Sequence, residues 1–429
     1  MSRLLLLVLF CLSSPFLQAA DRPNVLLILS DDQAWTDYGF MGHDTIKTPH
    51  LDKLASQSAV FTRAYVPTSL CRPSLATLIT GLYPHQHRIS GNDPVFSGKT
   101  GQAKYKSAEY RKLNQRLIGH IEEHPTIPRV LGQAGYRSLQ TGKWWEGHNS
   151  RGGFDVGMTH GDPDKGGRHG DKGLEIGRQG LQPIYDFWKE TGDQPWFVWY
   201  APMLPHLPHN PPERLLKKYT AEGKSIHVAR YQAMCEWWDE TCGELLDHLD
   251  QIGEADNTLV VYTCDNGWIQ DPDSPQYAPG SKRSPNEGGL RSPTMYRWPG
   301  HIEPARYDTL ISTIDFAPTV YAVAGAVAPT GLPGINLLPV CQAHGKSDRH
   351  QLFGEILDHD IVDVDVPAKS LQYRWTIDRD WKLIVPVDGP AELYNVVADP
   401  YEKHNLADKQ PAEVERLTKS LNDWWSGQP

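Results

Sequence analysis

Two pairs of neighbouring side chains carry oxygen atoms that could bind a metal ion: Asp31-Asp32 and Asp265-Asn266. Each pair follows an apolar run of the kind that forms a buried strand. Carboxylate and amide oxygens are hard ligands, which suit Ca²⁺ or Mg²⁺ and not zinc. Either pair alone is more often a turn or a helix cap. At equivalent ends of two buried strands, the two pairs together predict one divalent-cation site.

A second segment whose residues could take part in catalysis or binding is Cys71-Arg72-Pro73-Ser74. Proline suits the first turn of a helix, so residues 74–80 are predicted to be helical. The N-terminal amides and the dipole of this helix would favour an anion beside Cys71. A buried structural thiol is the alternative interpretation of a single cysteine.

The cysteine count bears on this choice. Apart from Cys11, the chain has five cysteines, which are Cys71, Cys235, Cys242, Cys264 and Cys341. An odd number in an exported protein leaves at least one unpaired. Cys235 and Cys242 are seven residues apart in a helix-like segment, about 10 Å along its axis, which is too far for a disulfide. The chain is therefore not predicted to be a disulfide scaffold.

Four apolar runs predict strands that are buried on both faces. They cover residues 24–29, 136–140, 196–200 and 258–263. Helix-like stretches lie between them, at residues 74–80, 126–134 and 228–249. This alternation predicts an α/β fold with a large, mostly parallel sheet between helices. Ligands of such folds bind beyond the carboxyl ends of the strands, so the polar residues that follow the four runs should meet in one pocket.

The character of the sequence changes near residue 336. Residues 374–377 and 381–385 predict short antiparallel strands, and residues 412–425 predict a closing helix. We therefore expect a catalytic domain over residues 21–335 and a smaller C-terminal subdomain with an antiparallel sheet over residues 336–429. Residues 145–180 are rich in Gly, Asp and His and predict a long loop over the pocket.

The N-terminus predicts export. Arg3 precedes an apolar run over residues 4–12, and small residues end at Ala20, which is typical of a cleaved signal peptide over residues 1–20. A retained anchor is the alternative, and no other segment is apolar enough to cross a membrane. The formal net charge of -10 and the lack of a long Lys/Arg run exclude a nucleic-acid scaffold. We expect a periplasmic or secreted protein with no membrane attachment after cleavage.

The segment from Cys71 to Gly81 resembles the signature of the type I, formylglycine-dependent sulfatases, of the alkaline-phosphatase-like superfamily. The resemblance spans nearly the whole mature chain. Its other parts are residues 24–32, 135–144, 205–206, 265–267, Lys282 with residues 287–289, and residues 393–406. The order and spacing of these segments together are far more specific than any one of them.

This resemblance implies a role for each residue. Cys71 would be oxidised to formylglycine (3-oxoalanine) by a maturation enzyme, and its hydrate would attack sulfur. One Ca²⁺ would be bound by Asp31, Asp32, Asp265, Asn266 and the modified Cys71. Lys143 and Lys282 would contact the sulfate. His206 would bind the sulfate or protonate the leaving oxygen.

The sequence departs from the family pattern at two places. Leu75 stands where the signature usually has an arginine that supports the formylglycine and helps the maturation enzyme to recognise the segment. Trp145 stands where a histidine is usual, one that is thought to deprotonate the spare hydroxyl. His85, His87 and His148 are possible substitutes, and the sequence does not choose among them.

The sequence thus predicts hydrolysis of sulfate esters, with a sulfated carbohydrate as the expected substrate. Export, the 14 tryptophans and the habit of the family support the carbohydrate. One alternative is a phosphate or phosphonate ester hydrolase of the same superfamily. Another is a pseudoenzyme that binds sulfated glycans, which Leu75 and Trp145 would support. The sugar, the position of its sulfate, and exo or endo action have no code in the sequence.

Overall fold

The computed structural model describes residues 22–97, 102–161 and 172–428. The expected signal peptide, residues 1–20, lies outside these ranges. In the described ranges the strands are β1 (Asn24–Ser30), β2 (Ala59–Phe61), β3 (Ala64–Tyr65), β4 (Asp93–Pro94), β5 (Arg137–Gly142), β6 (Val156–Gly157), β7 (Trp196–Ala201), β8 (Thr258–Cys264), β9 (Thr294–Arg297), β10 (Ala305–Tyr307), β11 (Ile311–Ser312), β12 (Gln351–Leu357), β13 (Asp360–Ile361), β14 (Leu371–Asp378), β15 (Trp381–Pro386) and β16 (Glu392–Asn395). The α-helices there are α1 (Pro49–Ser56), α2 (Cys71–Thr80), α3 (Pro84–His87), α4 (Gln102–Lys106), α5 (Ala108–Gly119), α6 (Ile127–Gln133), α7 (Gln182–Thr191), α8 (Glu213–Tyr219), α9 (Ile226–Gln251), α10 (Glu287–Leu290), α11 (Phe316–Val323), α12 (Leu338–Gln342) and α13 (Pro411–Trp424).

Eight of the described strands form the main sheet, in the order β10-β2-β9-β8-β1-β7-β5-β6. The pairs along β8-β1-β7-β5-β6 are parallel, and β9 pairs antiparallel with both β8 and β2. The predicted mostly parallel sheet is therefore confirmed, and the antiparallel pairs of β9 make it a mixed sheet. Its four longest strands are the four apolar runs that the sequence shows.

Helices cover both faces of this sheet because β1 is apolar on both sides. Val25, Leu27 and Leu29 face one core, to which α2, α6 and α11 contribute. Leu26 and Ile28 face the other core, which α1, α7 and α9 cover. Successive side chains of a strand point to opposite faces, so a continuous apolar run suits a layer between two sets of helices.

The C-terminal antiparallel sheet is also confirmed, in the order β12-β14-β15-β16. Helix α13 covers it, and Leu417 packs against Leu383 and Leu393. Trp375 on β14 lies in one buried cluster with Tyr65, Val66 and Leu290, so the C-terminal sheet packs against the main body. The domain boundary between residues 335 and 336 stays a prediction.

Two smaller expectations also hold. The five cysteines of the described residues are buried free thiols, which confirms that the chain is not a disulfide scaffold. In the ranges that the structure describes, no helix has the length and hydropathy to cross a bilayer. The described part of the predicted loop over residues 145–180 holds β6 and short 3₁₀ helices; residues 162–171 lie outside the description.

Candidate active site

The ends of three parallel strands bring the oxygen-bearing residues together. Ser30, the last residue of β1, is paired with Cys264, the last residue of β8. Asp31-Asp32 and Asp265-Asn266 therefore leave the sheet side by side. The backbone amide of Asp32 donates to Oδ1 of Asp265 at 3.1 Å, which fixes the two loops against each other.

Lys143 follows β5, and its side chain reaches the carboxylates of Asp31 and Asp265. Its Nζ lies 2.7 Å from both carboxylate oxygens of Asp31 and 3.5 Å from Oδ2 of Asp265. Gly142 permits this path, since it has a φ of +74° and a Cβ there would lie 2.0 Å from the carbonyl oxygen of Ala201. Only glycine fits so close to the neighbouring strand.

Cys71 lies at the first position of α2, with 1% of its surface exposed. The hydroxyl of Ser74 donates to the carbonyl oxygen of Asp265 at 2.6 Å, so the helix start is tied to the end of β8. Sγ of Cys71 lies 3.0 Å from Nζ of Lys282 and 4.0 Å from Oδ1 of Asp32. The N-terminus of α2 thus places the side chain of Cys71 beside the carboxylates of the site.

Lys282 and Asn266 both contact Asp32. Nζ of Lys282 lies 2.6 and 2.8 Å from the two oxygens of Asp32, and Nδ2 of Asn266 donates to Oδ1 at 2.7 Å. Gly267 lets this loop approach its neighbour, since a Cβ there would lie 2.0 Å from the carbonyl oxygen of Gly288. Lys282 therefore bridges Cys71 and a carboxylate in one buried group.

His206 joins the group from the loop after β7. Its Nδ1 contacts the carbonyl oxygen of Leu207 at 2.6 Å, and its Nε2 lies 3.3 Å from Oδ2 of Asp32. A carbonyl can only accept, so Nδ1 carries a proton and Nε2 is left to face the site. Burial lowers the pKa of His206 below its ordinary value.

The electrostatics follow from three carboxylates and two ammonium groups in a dry site. Burial raises the pKa of Asp265, and the charge of Asp31 raises it further. Burial opposes ionisation of Asp32 as well, but Lys282, His206 and Lys143 outweigh it and hold its pKa below the ordinary value. Burial raises the pKa of the Cys71 thiol to about 12. Cys71 as a thiol is thus neutral at pH 7.

These residues fit a divalent cation. Oδ1 of Asn266 is buried and has no hydrogen-bond partner among the described residues, although buried acceptors are nearly always paired. Asp31, Asp32, Cys71 and His206 each place a ligand atom within 4.8 Å of the others. Burial and the charge of Asp31 disfavour the ionised form of Asp265, as its raised pKa shows. A hard cation would satisfy the amide oxygen and favour the ionised form of Asp265 together.

The two departures from the family pattern are both buried. Leu75 packs in the core on the α2 face of the sheet, and Arg72 does not take the place of the missing arginine. The Arg72 guanidinium instead pairs with Glu146, at 2.7 and 2.8 Å. Trp145 is 5% exposed, and Nζ of Lys143 lies 5.8 Å from the centre of its ring.

The three histidines considered as substitutes contact other groups. His87, on α3, is buried, and its Nε2 lies 3.2 Å from the hydroxyl of Thr77 on α2. His85 pairs with Glu355 at 2.8 Å. His148 contacts the hydroxyl of Ser150 at 2.9 Å.

One residue of the site had no sequence signal. Arg178, in the loop expected over the pocket, donates to the carbonyl oxygens of Met203 and His206 at 2.8 and 3.2 Å. It therefore holds the segment that carries His206. Its position depends on contacts with residues more than twenty positions away, which no local spacing encodes.

The comparisons with known proteins agree with this geometry. Residues 23–326 match the family model described as "Sulfatase", and residues 280–425 match "N-sulphoglucosamine sulphohydrolase, C-terminal". N-acetylgalactosamine-6-sulfatase of Homo sapiens is 30% identical over 414 residues, which cover 85% of this chain and 74% of that protein. The crystal structure of Ps i-CgsB superposes with a TM-score of 0.75 at 23% identity, over 95% of this chain and 94% of that one.

Another solved structure has the same fold: the phosphonate monoester hydrolase of Agrobacterium radiobacter. It superposes with a TM-score of 0.71 at 19% identity, over 94% of this chain and 95% of that one. At that identity the likeness concerns the fold alone. The family model covers well over half of the chain, and the human relative reaches 30% identity. The chain therefore belongs to the formylglycine-dependent sulfatase family of the alkaline-phosphatase-like superfamily, and it is a sulfuric ester hydrolase.

Proposed function

We propose that this chain hydrolyses sulfate esters of an external sulfated carbohydrate, with Cys71 as the nucleophile after conversion to formylglycine. One observation supports this most directly: Nζ of Lys282 contacts both Sγ of Cys71 and the carboxylate of Asp32. The residue to be modified, an ammonium group for the sulfate and a metal-type carboxylate thus form one buried unit.

The proposed cation ligands are Asp31, Asp32, Asp265 and Asn266, together with the modified Cys71. Ca²⁺ is the expected ion, because the ligands are oxygen atoms and the family resemblance implies it. When bound, the cation supplies Lewis-acid stabilisation of negative charge on oxygen. The unpartnered Oδ1 of Asn266 is the atom of this chain that most needs it.

The formylglycine hydrate supplies one hydroxyl for attack on sulfur and a second with which sulfate is later expelled. The chain itself provides the surroundings for this chemistry. Lys143 and Lys282 place two ammonium groups around the reacting centre, where negative charge shifts in the transition state. Their carboxylate partners keep both lysines protonated, since these partners outweigh the effect of burial and raise the pKa of each lysine.

His206 is the proposed proton donor to the leaving oxygen. The contact of Nδ1 with the carbonyl of Leu207 fixes the ring and turns Nε2 toward the site. Donation requires the imidazolium form, in which Nε2 also carries a proton that can pass to the sugar oxygen as the bond to sulfur breaks. Arg178 supports this geometry by holding the carbonyl of His206.

Charge favours a sulfate ester over a phosphate monoester. The three carboxylates and two ammonium groups leave a charge of minus one, which a divalent cation would turn into plus one. A sulfate ester carries one negative charge and would neutralise this site, whereas a phosphate monoester is largely dianionic near neutral pH. The shared fold with a phosphonate monoester hydrolase keeps that activity as the second candidate.

The carbohydrate substrate is supported by the human relative, whose name gives a sulfated amino sugar. Export to a periplasm or the medium rests on the signal-like N-terminus. The pseudoenzyme alternative rests on Leu75 and Trp145. The intact set of lysines, carboxylates and His206 argues against it.

Mass spectrometry of the tryptic peptide over residues 64–88 tests the proposal. The protein is made in a host with the maturation machinery, and trypsin spares Arg72 because Pro73 follows. We expect an aldehyde at Cys71, together with Ca²⁺-dependent release of sulfate from 4-methylumbelliferyl sulfate. An intact thiol and no sulfate release, in a host that modifies a control sulfatase, would favour the pseudoenzyme.

A further inference from the structure

A chain of hydrogen bonds begins at the residue after the nucleophile. The backbone amide of Arg72 donates to Oδ1 of Asn92 at 3.1 Å. Nδ2 of Asn92 lies 3.2 Å from Nε2 of His359, and Nδ1 of His359 lies 2.6 Å from Oδ1 of Asp360. Three links therefore connect the start of α2 to the loop that follows β12 in the C-terminal sheet.

Two further charged residues complete this group, which we call the Asn92–Asp360 cluster: Asn92, Asp93, Lys104, His359 and Asp360. Nζ of Lys104 lies 3.1 Å from Oδ2 of Asp360 and 3.9 Å from Oδ2 of Asp93. The side chain of Asp360 is 42% exposed and that of His359 is 32% exposed. The cluster thus has a buried part, Asn92 and Asp93, and a part that reaches solvent, His359 and Asp360.

The cluster is poorly suited to a second metal ion. Asp93, His359 and Asp360 place ligand atoms within 4.8 Å of one another. However, the ammonium group of Lys104 already lies between the two carboxylates and would repel a cation. Nδ1 of His359 is committed to Asp360, and its Nε2 faces the amide of Asn92.

The same charges disfavour an anion. The carboxylate of Asp360, whose side chain is 42% exposed, would repel a second sulfate group. Neutral hydroxyl groups are different. The carboxylate of Asp360 can accept four hydrogen bonds, and its partners His359 and Lys104 use two of them. A hydroxyl can also accept from Lys104.

We propose that the Asn92–Asp360 cluster binds hydroxyl groups of the sugar ring that carries the reacting sulfate, and so selects the sugar. This inference rests on the proposed function, because it requires the sulfate to lie at Cys71. Asn92 contacts the backbone amide of Arg72, the residue after Cys71, so the cluster adjoins the helix start at which the reacting sulfate would lie. A site that hydrogen-bonds sugar hydroxyls rejects analogues that lack them, because its polar groups would then lose their partners.

The test compares two kinds of substrate in three proteins: wild type, Asp360→Asn and Asp363→Asn. Asp363 is the matched control, because it lies three residues further on and also pairs with a lysine, Lys369, at 2.8 Å. The sugar probes are N-acetylgalactosamine 6-sulfate, glucosamine 6-sulfate and galactose 4-sulfate. The probe without sugar hydroxyls is 4-methylumbelliferyl sulfate. Aldehyde content at Cys71 is measured in every sample, since Asn92 contacts the neighbouring residue.

For Asp360→Asn we expect kcat/KM on the sugar that wild type turns over fastest to fall about tenfold or more. The value for the aryl sulfate should fall by less than about threefold, which separates sugar binding from a general defect in catalysis. Asp363→Asn should behave like wild type on both. An equal loss on both substrates, or a loss on neither, would overturn the inference.

Binding supplies a second readout that does not need turnover. Calorimetry with the same sulfated sugars compares Cys71→Ala with the double variant Cys71→Ala/Asp360→Asn. We expect about tenfold weaker binding in the double variant, and equal binding would refute the sugar-binding role. If wild-type protein with a full aldehyde content releases no sulfate from any probe, the proposed function fails, and the binding comparison still decides the role of the cluster.

Discussion

Two buried lysines of this protein have similar surroundings, but one belongs to a structural ion pair and the other to the candidate active site. Lys382, on β15, has no exposed surface and lies 3.0 Å from Glu287 and 2.8 Å from Glu402. The remaining oxygens of these glutamates accept from the hydroxyl of Tyr65 and from the amide of Glu287. A second cation lies at the edge of this group, because Nη1 of Arg291 is 3.8 Å from Oε2 of Glu287. The group is therefore closed in charge: two cations face two carboxylates, and Oε1 of Glu402 is paired with Lys382.

Lys282 also lies between two partners, Asp32 and Cys71. The group around it, formed by the active-site carboxylates, Lys143, Asn266 and Cys71, is not closed, and we call it the open group. The three carboxylates of the site outnumber the two lysines, and Oδ1 of Asn266 has no partner among the described residues. Burial of charge without full pairing costs stability, so a fold retains it where a ligand completes the pairing. The comparison teaches that unsatisfied polar atoms, not buried charge as such, separate a binding site from a structural ion pair.

The largest expected effect concerns the open group. Cys71→Ala should lower turnover by a factor on the order of 10⁴ or more, because it removes the nucleophile. Asp265→Ala should abolish turnover as well. Sulfate release measured at equal concentrations of folded protein checks both.

The control for this prediction is Cys341→Ala, which removes a thiol that is equally buried but lies in the core on the α2 face of the sheet. It should cost stability and leave turnover per folded molecule near the wild-type value. Full activity of Cys71→Ala would show that the covalent mechanism is wrong.

The second prediction concerns the closed group. Lys382→Met should lower the free energy of unfolding by about 3–5 kcal/mol, because it leaves two buried glutamates without the cation that they share. Turnover of the molecules that stay folded should change little. Urea unfolding, followed by fluorescence, gives the first quantity, and active-site titration gives the second.

Lys282→Met is its counterpart. It should lower turnover strongly, with a smaller change in the free energy of unfolding, since the charges of His206 and Lys143 still act on Asp32. If Lys382→Met removed activity without loss of stability, the contrast between a structural and a functional lysine would be broken.

The sequence predicts the scaffold well where one physical rule dominates. Strands β1, β5, β7 and β8 are continuous apolar runs, because both of their faces are buried, and their ends place Asp31, Lys143 and Asp265 in one region. Helix α2 begins at Cys71, earlier than the predicted Ser74. The first N–H groups of a helix have no partner within the helix, so Pro73, which has no N–H, is tolerated in the first turn.

Contacts between distant segments were not predictable. Strands β12 and β16 were missed, since β12 contains Gly354 and β16 has only four residues, so neither gives a clear alternating pattern. The pairing of Arg72 with Glu146 and the contact of Asn92 with His359 join residues 74 and 267 positions apart. No spacing rule reaches that far, because these contacts depend on how distant elements of the fold pack.

The third prediction tests whether a cation closes the open group. Removal of divalent ions with EDTA should abolish turnover and lower the melting temperature, and Ca²⁺ should restore both. Ca²⁺ at a hundred times its dissociation constant would stabilise the folded state by about 2.7 kcal/mol. Parallel titrations with Mg²⁺ and Zn²⁺ identify the preferred ion.

The matched variants for this prediction are Asp265→Asn and Asp363→Asn. The first should lose the thermal response to Ca²⁺, because it removes a carboxylate of the site. The second should keep it, because Asp363 pairs with Lys369 in the C-terminal region. A Ca²⁺ response that survives Asp265→Asn would place the ion elsewhere.

The smallest effect on turnover is expected for Trp145→His, which restores the residue usual in the family. Trp145 is buried in the core on the α2 face, and its ring lies near the ammonium group of Lys143. Its replacement should lower the melting temperature, because apolar contacts are lost. Turnover should stay within about tenfold of wild type, which corresponds to about 1.4 kcal/mol in the barrier. Steady-state rates, corrected for aldehyde content, measure this. A far larger loss would mean that the indole itself positions Lys143, and the open group would then depend on a residue that carries no charge.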